Sequence, residues 1–187
     1  MIDFERNLSV LREGGVEFVV IGGFAMYSRG SSYLTRDLDI CYERSQDNIH
    51  LLVKALAPYH PRLRGAPKSL PFFFDKQTIS HGLNFTLTTD LGDLDLLGEV
   101  SGIGQYKEVL AQSTTLELFG QSCQVLSLEG LIAAKRAAGR PRDLAVLPEL
   151  EALRELESLR LSEPGGSITS GQGRMHTRKK PKDAGRG

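Results

Sequence analysis

The sequence predicts an α/β or α+β domain: a mixed sheet of about five strands, helices over one face, and two further helices at the C-terminal end. Three observations carry this expectation. Helical and strand-like apolar spacings alternate through the first third of the chain, sheet signals then succeed one another between residues 71 and 126, and from Leu128 the pattern is helical only. One domain over residues 1–161 follows, with the sheet core at about 15–126 and the last helices at about 127–161. Residues 162–187 turn to Gly, Ser, Pro and basic side chains without apolar periodicity and read as a disordered basic tail.

Each element has its own reason. Ile2, Phe4, Leu8 and Leu11 recur near one helical turn and end at Gly14-Gly15, which predicts a first helix. "EFVVIGG" is a short β-branched run and reads as a buried strand; "FAMYSR" follows as a helix of two turns closed by Gly30. "DLDICYE" alternates acid and apolar residues with period two, a strand with one wet and one dry face. "QDNIHLLVKALAPYH" places Ile49, Leu52, Val53 and Leu56 on one helical stripe, with Asp47 as the candidate cap and Pro58 as the stop. "PFFFD", "GLNFTLTT" and "GDLDLLG" are read as successive strands, the last two joined as an antiparallel hairpin by "TDLG". "TLELFGQSCQVLS" reads as another hairpin, or a strand bent at Gly120. "SLEGLIAAKRAAG" is a helix ending at Gly139, and Pro141 sits in the first turn of a helix over "RPRDLAVLPELEALRELESLR".

Bulk composition excludes several classes. At 187 residues, 40% hydrophobic and 25% charged, the chain fits one globular core. No run approaches the roughly 18 apolar residues of a membrane helix, and "MIDFERNLSV" lacks the basic flank and apolar block of a secretory signal, so a cytoplasmic protein without a membrane partner is expected. Cys41 and Cys123 stand in apolar strands with no second ligand at metal spacing, and the four histidines share no register; buried thiols are expected and zinc is not. The net charge is zero, but residues 174–187 hold six Lys or Arg against one acid, a local +5 that leaves the preceding 173 residues at −5. A body of that sign does not grip nucleic acid over its whole surface.

The chemistry concentrates in three stretches. Residues two apart in a strand share a face at about 6.5–7 Å, so Asp37 and Asp39 offer two carboxylates to one side while Leu38 and Ile40 enter the core. Such a pair suits a hard cation such as magnesium, or two ions roughly 3.5–4 Å apart, as in phosphoryl displacement. "GDLDLL" repeats the alternation; Asp93 or Asp95 completes a three-acid cluster if the two strands are neighbours, and Asp95, further from the turn, is favoured. Gly22 and Gly23 leave backbone N–H groups unshielded at a strand-to-helix junction, where phosphate oxygens are favoured. The spacing fails the dinucleotide fingerprint, since the glycines are adjacent and the next is Gly30. Lys135 follows Leu128, Leu131 and Ile132 at helical spacing, facing inward, where a triphosphate or simple snorkelling accounts for it. Arg140 and Arg142 extend a positive rim, and Asp143 complements the dipole of the last helix.

Together these pieces resemble the minimal nucleotidyltransferase superfamily, whose signature is a Gly-Gly or Gly-Ser turn, a helix, an Asp-x-Asp strand and a third acid on a later strand. "IGGFAMYSRG", "LTRDLDI" and "GDLDLL" match in order, and "KRAAGRPRDL" resembles the helix junction of its abortive-infection type toxin and antitoxin branch. The resemblance spans about residues 15–150. It implies that Asp37 and Asp39 bind Mg2+ or Mn2+, that Asp95 completes a metal site and helps activate the attacking hydroxyl, and that Gly22 and Gly23 cradle phosphates. It further implies that Lys135, with Arg142 on the rim, contacts the triphosphate. Gly23 stands where many members have serine, so only backbone donors remain at that position.

The implied reaction moves a nucleoside monophosphate from a nucleoside triphosphate to a hydroxyl on RNA, protein or a small molecule, with pyrophosphate leaving. A cognate toxin or antitoxin is the implied protein partner. Two alternatives keep the same residues: a catalytically inactive binding partner of the antitoxin kind, and a metal-dependent phosphohydrolase. The tail offers phosphate contacts to an RNA acceptor, or serves only as a solubilising end.

Overall fold

A computed structural model describes residues 2–67 and 69–162. The basic tail from residue 163 therefore lies outside the described residues. The chain begins with helix α1 (Phe4–Glu13), then strand β1 (Phe18–Ile21), helix α2 (Gly22–Ser28), strand β2 (Asp37–Tyr42) and helix α3 (Gln46–Leu56). Strand β3 (Arg62–Leu63), helix α4 (Lys76–His81) and the hairpin β4 (Asn84–Thr89) and β5 (Gly92–Leu97) follow. A small ribbon, β6 (Glu99–Val100) and β7 (Gly104–Gln105), leads to helix α5 (Tyr106–Ala111) and a second hairpin, β8 (Ser113–Leu118) and β9 (Gln121–Leu126). Helices α6 (Leu128–Ala138), α7 (Pro141–Ala145) and α8 (Leu147–Ser162) close the domain.

The main sheet has seven strands in the order β3-β4-β5-β2-β1-β9-β8, two more than expected. It is mixed: β2 lies parallel to β5 and β1 parallel to β9, whereas the other neighbours are antiparallel. The difference in count comes from short or late-pairing elements. β3 spans two residues, too short for any periodicity, and "TLELFGQSCQVLS" resolves into a true hairpin turned at Phe119-Gly120, both with positive φ.

Leu38, Ile40, Leu94 and Leu96 are fully buried, each contributing about 2 kcal/mol of apolar burial. That burial fixes the register, because a slip of one residue would bury the acids and expose the leucines. Two helices stop where their sequence says: Gly14 caps α1, and Gly139, in left-handed conformation, caps α6, whereas α2 is capped by Arg29, one residue before the expected Gly30. Arg29, at the end of α2, reaches across to the carbonyls of Val125 and Leu126 and pins that helix to β9.

Several expectations are corrected. "PFFFD" is not a strand: among the described residues no strand pairs with it, Phe72 packs near the Phe85 ring, Phe73 is 72% exposed, and Asp75 caps α4. The cap of α3 is Ser45, whose hydroxyl accepts from the Asn48 amide, not Asp47, which lies within the first turn. The helix expected from Pro141 divides into α7 and α8 beside Pro148, which has no N–H for a continuous ladder. Helix α5 and the β6–β7 ribbon are shorter than the window over which apolar spacing is legible. Cys41 and Cys123 are buried free thiols, as expected, and burial pushes the Cys41 thiol up to about 12. Among the described residues no helix is long and apolar enough to cross a membrane.

Candidate active site

The parallel register of β2 and β5 sets Asp37 opposite Asp93 and Asp39 opposite Asp95, all four on one face. Like charges directly opposite repel, so this arrangement costs free energy unless cations enter it. Asp37, Asp39 and Asp95 each offer a carboxylate oxygen, and these oxygens lie within 4.8 Å of one another. Asp93 stands apart from that trio: its Oδ1 accepts the Thr88 hydroxyl at 2.8 Å.

The turn from β1 into α2 passes directly over the cluster. Gly22 holds φ +63°, a conformation that a side chain makes costly, and its Cα faces the Asp39 carboxylate. The Gly23 amide points to Asp39 Oδ2 at 3.4 Å, a long contact that leaves the carboxylate under-compensated. A Cβ on Gly23 would meet the Thr35 side chain, whose hydroxyl donates to Asp37 Oδ1 at 2.7 Å and holds that carboxylate in place.

Electrostatics follow from this crowding. Burial, then the charges of Asp37 and Asp95, push the Asp39 carboxyl up to about 7, against smaller opposing effects of the Gly23 amide and Lys135. Burial likewise raises Asp95, although the Arg64 guanidinium opposes it. Arg64 comes from the turn after β3 and reaches Asp95 at 2.7 Å, Asp93 at 3.3 Å and Asp37 at 3.5 Å. Its own pKa is raised: burial alone would lower it, but the three acids outweigh that effect. Asp39 alone of the four acids makes no contact with it.

A cleft of about 410 Å³ joins Asp37, Asp39 and Asp95 to the glycine turn and to Arg64, Lys135, Arg140 and Arg142. Two basic side chains of this cleft meet a carboxylate that the sequence did not pair with them. The Lys135 Nζ donates to Asp143 Oδ1 at 2.8 Å. Asp143 is not a surface dipole partner but a carboxylate only 2% exposed, which also accepts from Arg140 Nε at 2.6 Å. Burial alone would raise its pKa; hydrogen bonds from Lys135 and Arg140 more than offset this and lower it.

The chain matches a lincosamide antibiotic adenylyltransferase, solved with lincomycin bound, at 12% identity and a TM-score of 0.51 over 81% of this chain and 98% of that one. The chain has a nucleotidyltransferase-like fold. Two further structures match at lower TM-scores. One is ANT(2″)-Ia in complex with adenylyl-2″-tobramycin (13% identity, TM-score 0.49, 84% of this chain and 96% of that chain). The other is an antigenic nucleotidyltransferase-like protein from Paracoccidioides brasiliensis (15% identity, TM-score 0.46, 83% and 78%). No protein-family model matches the sequence, and no curated protein matches it significantly.

On this nucleotidyltransferase-like fold, Gly22, Gly23, Asp37, Asp39, Asp95, Lys135, Arg140 and Arg142, all singled out from the sequence, line one cleft, and Asp93, the alternative third acid, does not. Sequence reasoning missed Arg64 and Thr35 and misread Asp143. Thr35 carried a legible signal, since a threonine two residues before an aspartate commonly bonds locally. Arg64 carried none: it follows a two-residue edge strand and reaches the acids only through tertiary packing.

Proposed function

We propose that this chain is a metal-dependent nucleotidyltransferase that moves a nucleoside monophosphate from a nucleoside triphosphate to a hydroxyl acceptor. The observation that carries the reading is the convergence of Asp37, Asp39 and Asp95 in a cleft shared with the glycine turn and the basic side chains Arg64, Lys135, Arg140 and Arg142. The donor set fits Mg2+ or Mn2+: it is all carboxylate oxygen, and Asp39, crowded by two acids and held by a 3.4 Å amide contact, forms no ion pair with a described cation. Bound there, a divalent ion supplies charge neutralisation at the reacting phosphate.

The remaining chemistry belongs to the chain's own residues. Thr35 and the Gly23 amide orient Asp37 and Asp39 as ligands. Gly22 and Gly23 form the backbone wall of the phosphate site at the start of α2, while Lys135 and Arg142 supply positive charge to the triphosphate across the cleft. Asp95, whose raised pKa brings it nearer to a proton acceptor's working range, orients the acceptor hydroxyl and takes its proton. The acceptor oxygen forms the new bond to the α-phosphorus as the bond to pyrophosphate breaks.

A small-molecule acceptor is consistent with the likeness to the lincomycin-bound adenylyltransferase. RNA and protein acceptors share the same hydroxyl chemistry. The "KRAAGRPRDL" junction supports a place in the abortive-infection type branch, with a cognate partner, and nucleoside triphosphate as substrate supports a cytoplasmic location.

Incubation with Mg2+ and labelled nucleoside triphosphates tests the reading. Pyrophosphate release that Asp39→Asn abolishes is expected. Equal release by both proteins would remove the assignment, and inorganic phosphate in place of pyrophosphate would identify a hydrolase.

A further inference from the structure

Among the described residues Arg64 is the one cation that forks into the acidic cluster, and its position competes with the ligand set just proposed. Both oxygens of Asp95 accept from its Nη2, at 2.7 and 2.9 Å, and its Nη1 approaches Asp37 Oδ2. Two of the three carboxylates that would hold a divalent ion are thus engaged by a guanidinium. An ion that uses Asp95 competes with Arg64 for its oxygens, because a guanidinium and a divalent cation drawn to the same carboxylate repel each other at these distances.

The backbone of Arg64 is tied to β4 by its amide, which donates to the Thr86 carbonyl at 2.9 Å. Only the side chain can leave. It is 28% exposed and lines the cleft that Lys135, Arg140 and Arg142 share, so a guanidinium released from the acids stays beside that cleft. Lys135 and Arg140 also donate to the buried Asp143, whereas Arg64 pairs, among the described residues, only with acids of the cluster.

We propose that Arg64 is a resident cation of the acidic cluster that a divalent ion displaces, and that the displaced guanidinium then binds the triphosphate. In the metal-free protein it neutralises Asp37, Asp93 and Asp95; in the loaded protein it is a substrate-positioning residue. The exchange links metal uptake to nucleotide binding: the acids give up their built-in counter-charge only for a stronger one, and the same event frees a phosphate-binding fork. The inference rests on the metal-binding reading of the site.

The test measures binding, not turnover. Mn2+ affinity is read by electron paramagnetic resonance at pH 8, where protons no longer compete at Asp39. The affinity for an unreactive nucleoside triphosphate analogue is read by calorimetry at saturating Mn2+. In Arg64→Gln, Mn2+ should bind about ten-fold tighter because a competing ion pair is gone, and the analogue should bind about ten-fold weaker. Arg64→Ala gives the same two directions and serves if the glutamine variant folds poorly. Mn2+ bound equally by wild type and variants would overturn the displacement, and an unchanged analogue affinity would overturn the second role. If no protein takes up Mn2+, the metal reading of the site falls and the exchange with it; equal uptake removes the exchange alone.

Discussion

A side chain of a single carbon at Gly22 would lie 2.1 Å from Asp39 Oδ2 and 2.8 Å from Asp39 Cβ. The turn and the carboxylate therefore interlock: Asp39 occupies the space that the missing side chain leaves, and the backbone at φ +63° could not tolerate one cheaply in any case. The sequence offered the two glycines as a bare surface for phosphate. The structure adds that Gly22 is also the condition for Asp39 to sit where it does.

Gly22→Ala should therefore fail at the site before it fails as a fold. The left-handed backbone costs about 1–2 kcal/mol, and the clash reaches Asp39 as far back as Cβ, so the carboxylate must move. Urea denaturation should show that modest loss, while nucleotidyl transfer drops by about 100-fold. A variant with near-normal turnover would show that Asp39 need not hold this position.

Asp93 and Asp95 look identical in the sequence and differ in the fold. Asp95 joins the oxygens of Asp37 and Asp39, whereas Asp93 is held by Thr88 and Arg64 outside that trio. Asp95→Asn should lower turnover by about 100-fold or more and weaken Mn2+ binding. Asp93→Asn should stay within about ten-fold of wild type. The reverse ranking, measured as kcat/KM with Mn2+ titrations, would exchange the two assignments.

Asp39 should make the metal-free protein less stable as pH rises. Its folded pKa of about 7 lies above the ordinary value of 3.8, so between those pH values the folded state keeps a proton that the unfolded state has released. Stability is retained at the acid end of that window and lost as pH passes through about 7. In the presence of a chelator, Asp39→Asn should be more stable than wild type at pH 8 by on the order of 2 kcal/mol, the gap closing towards pH 4. Parallel urea-unfolding profiles for the two proteins would remove the assigned shift.

Asp143 has the opposite sign. Its carboxyl is held below 3.8 in the folded state, so it contributes stability above that pH, and the contribution is lost as pH falls through the folded value. Asp143→Ala leaves Lys135, itself only 18% exposed, without its partner and should cost about 3 kcal/mol at pH 7 by urea denaturation. Lys135→Ala should cost less, since Arg140 still neutralises Asp143.

How far the site was legible follows from the range of each determinant. Period-two alternation is a property of a single strand, so "DLDI" and "DLDLL" each placed a pair of carboxylates on one side of its own strand before any neighbour was known. The glycine pair, the Ser127 and Gly139 limits of α6 and the "TDLG" hairpin are equally local. "PFFFD" misled because three aromatics resemble a strand yet find no neighbouring strand to pair with, and α4 and β3 were too short to show a period.

What the sequence determined by itself is therefore the facing of side chains within each element: acids to one side, leucines to the other, and a bare turn ahead of them. Only the tertiary structure decided that Asp39 lies opposite Asp95, that Arg64 enters from the edge of the sheet, and that Lys135 closes on Asp143. The physical reason is separation along the chain. Backbone geometry sets a side chain's direction over two to four residues, but which charges meet depends on strand order and packing among residues up to 56 apart, as Asp39 and Asp95 are.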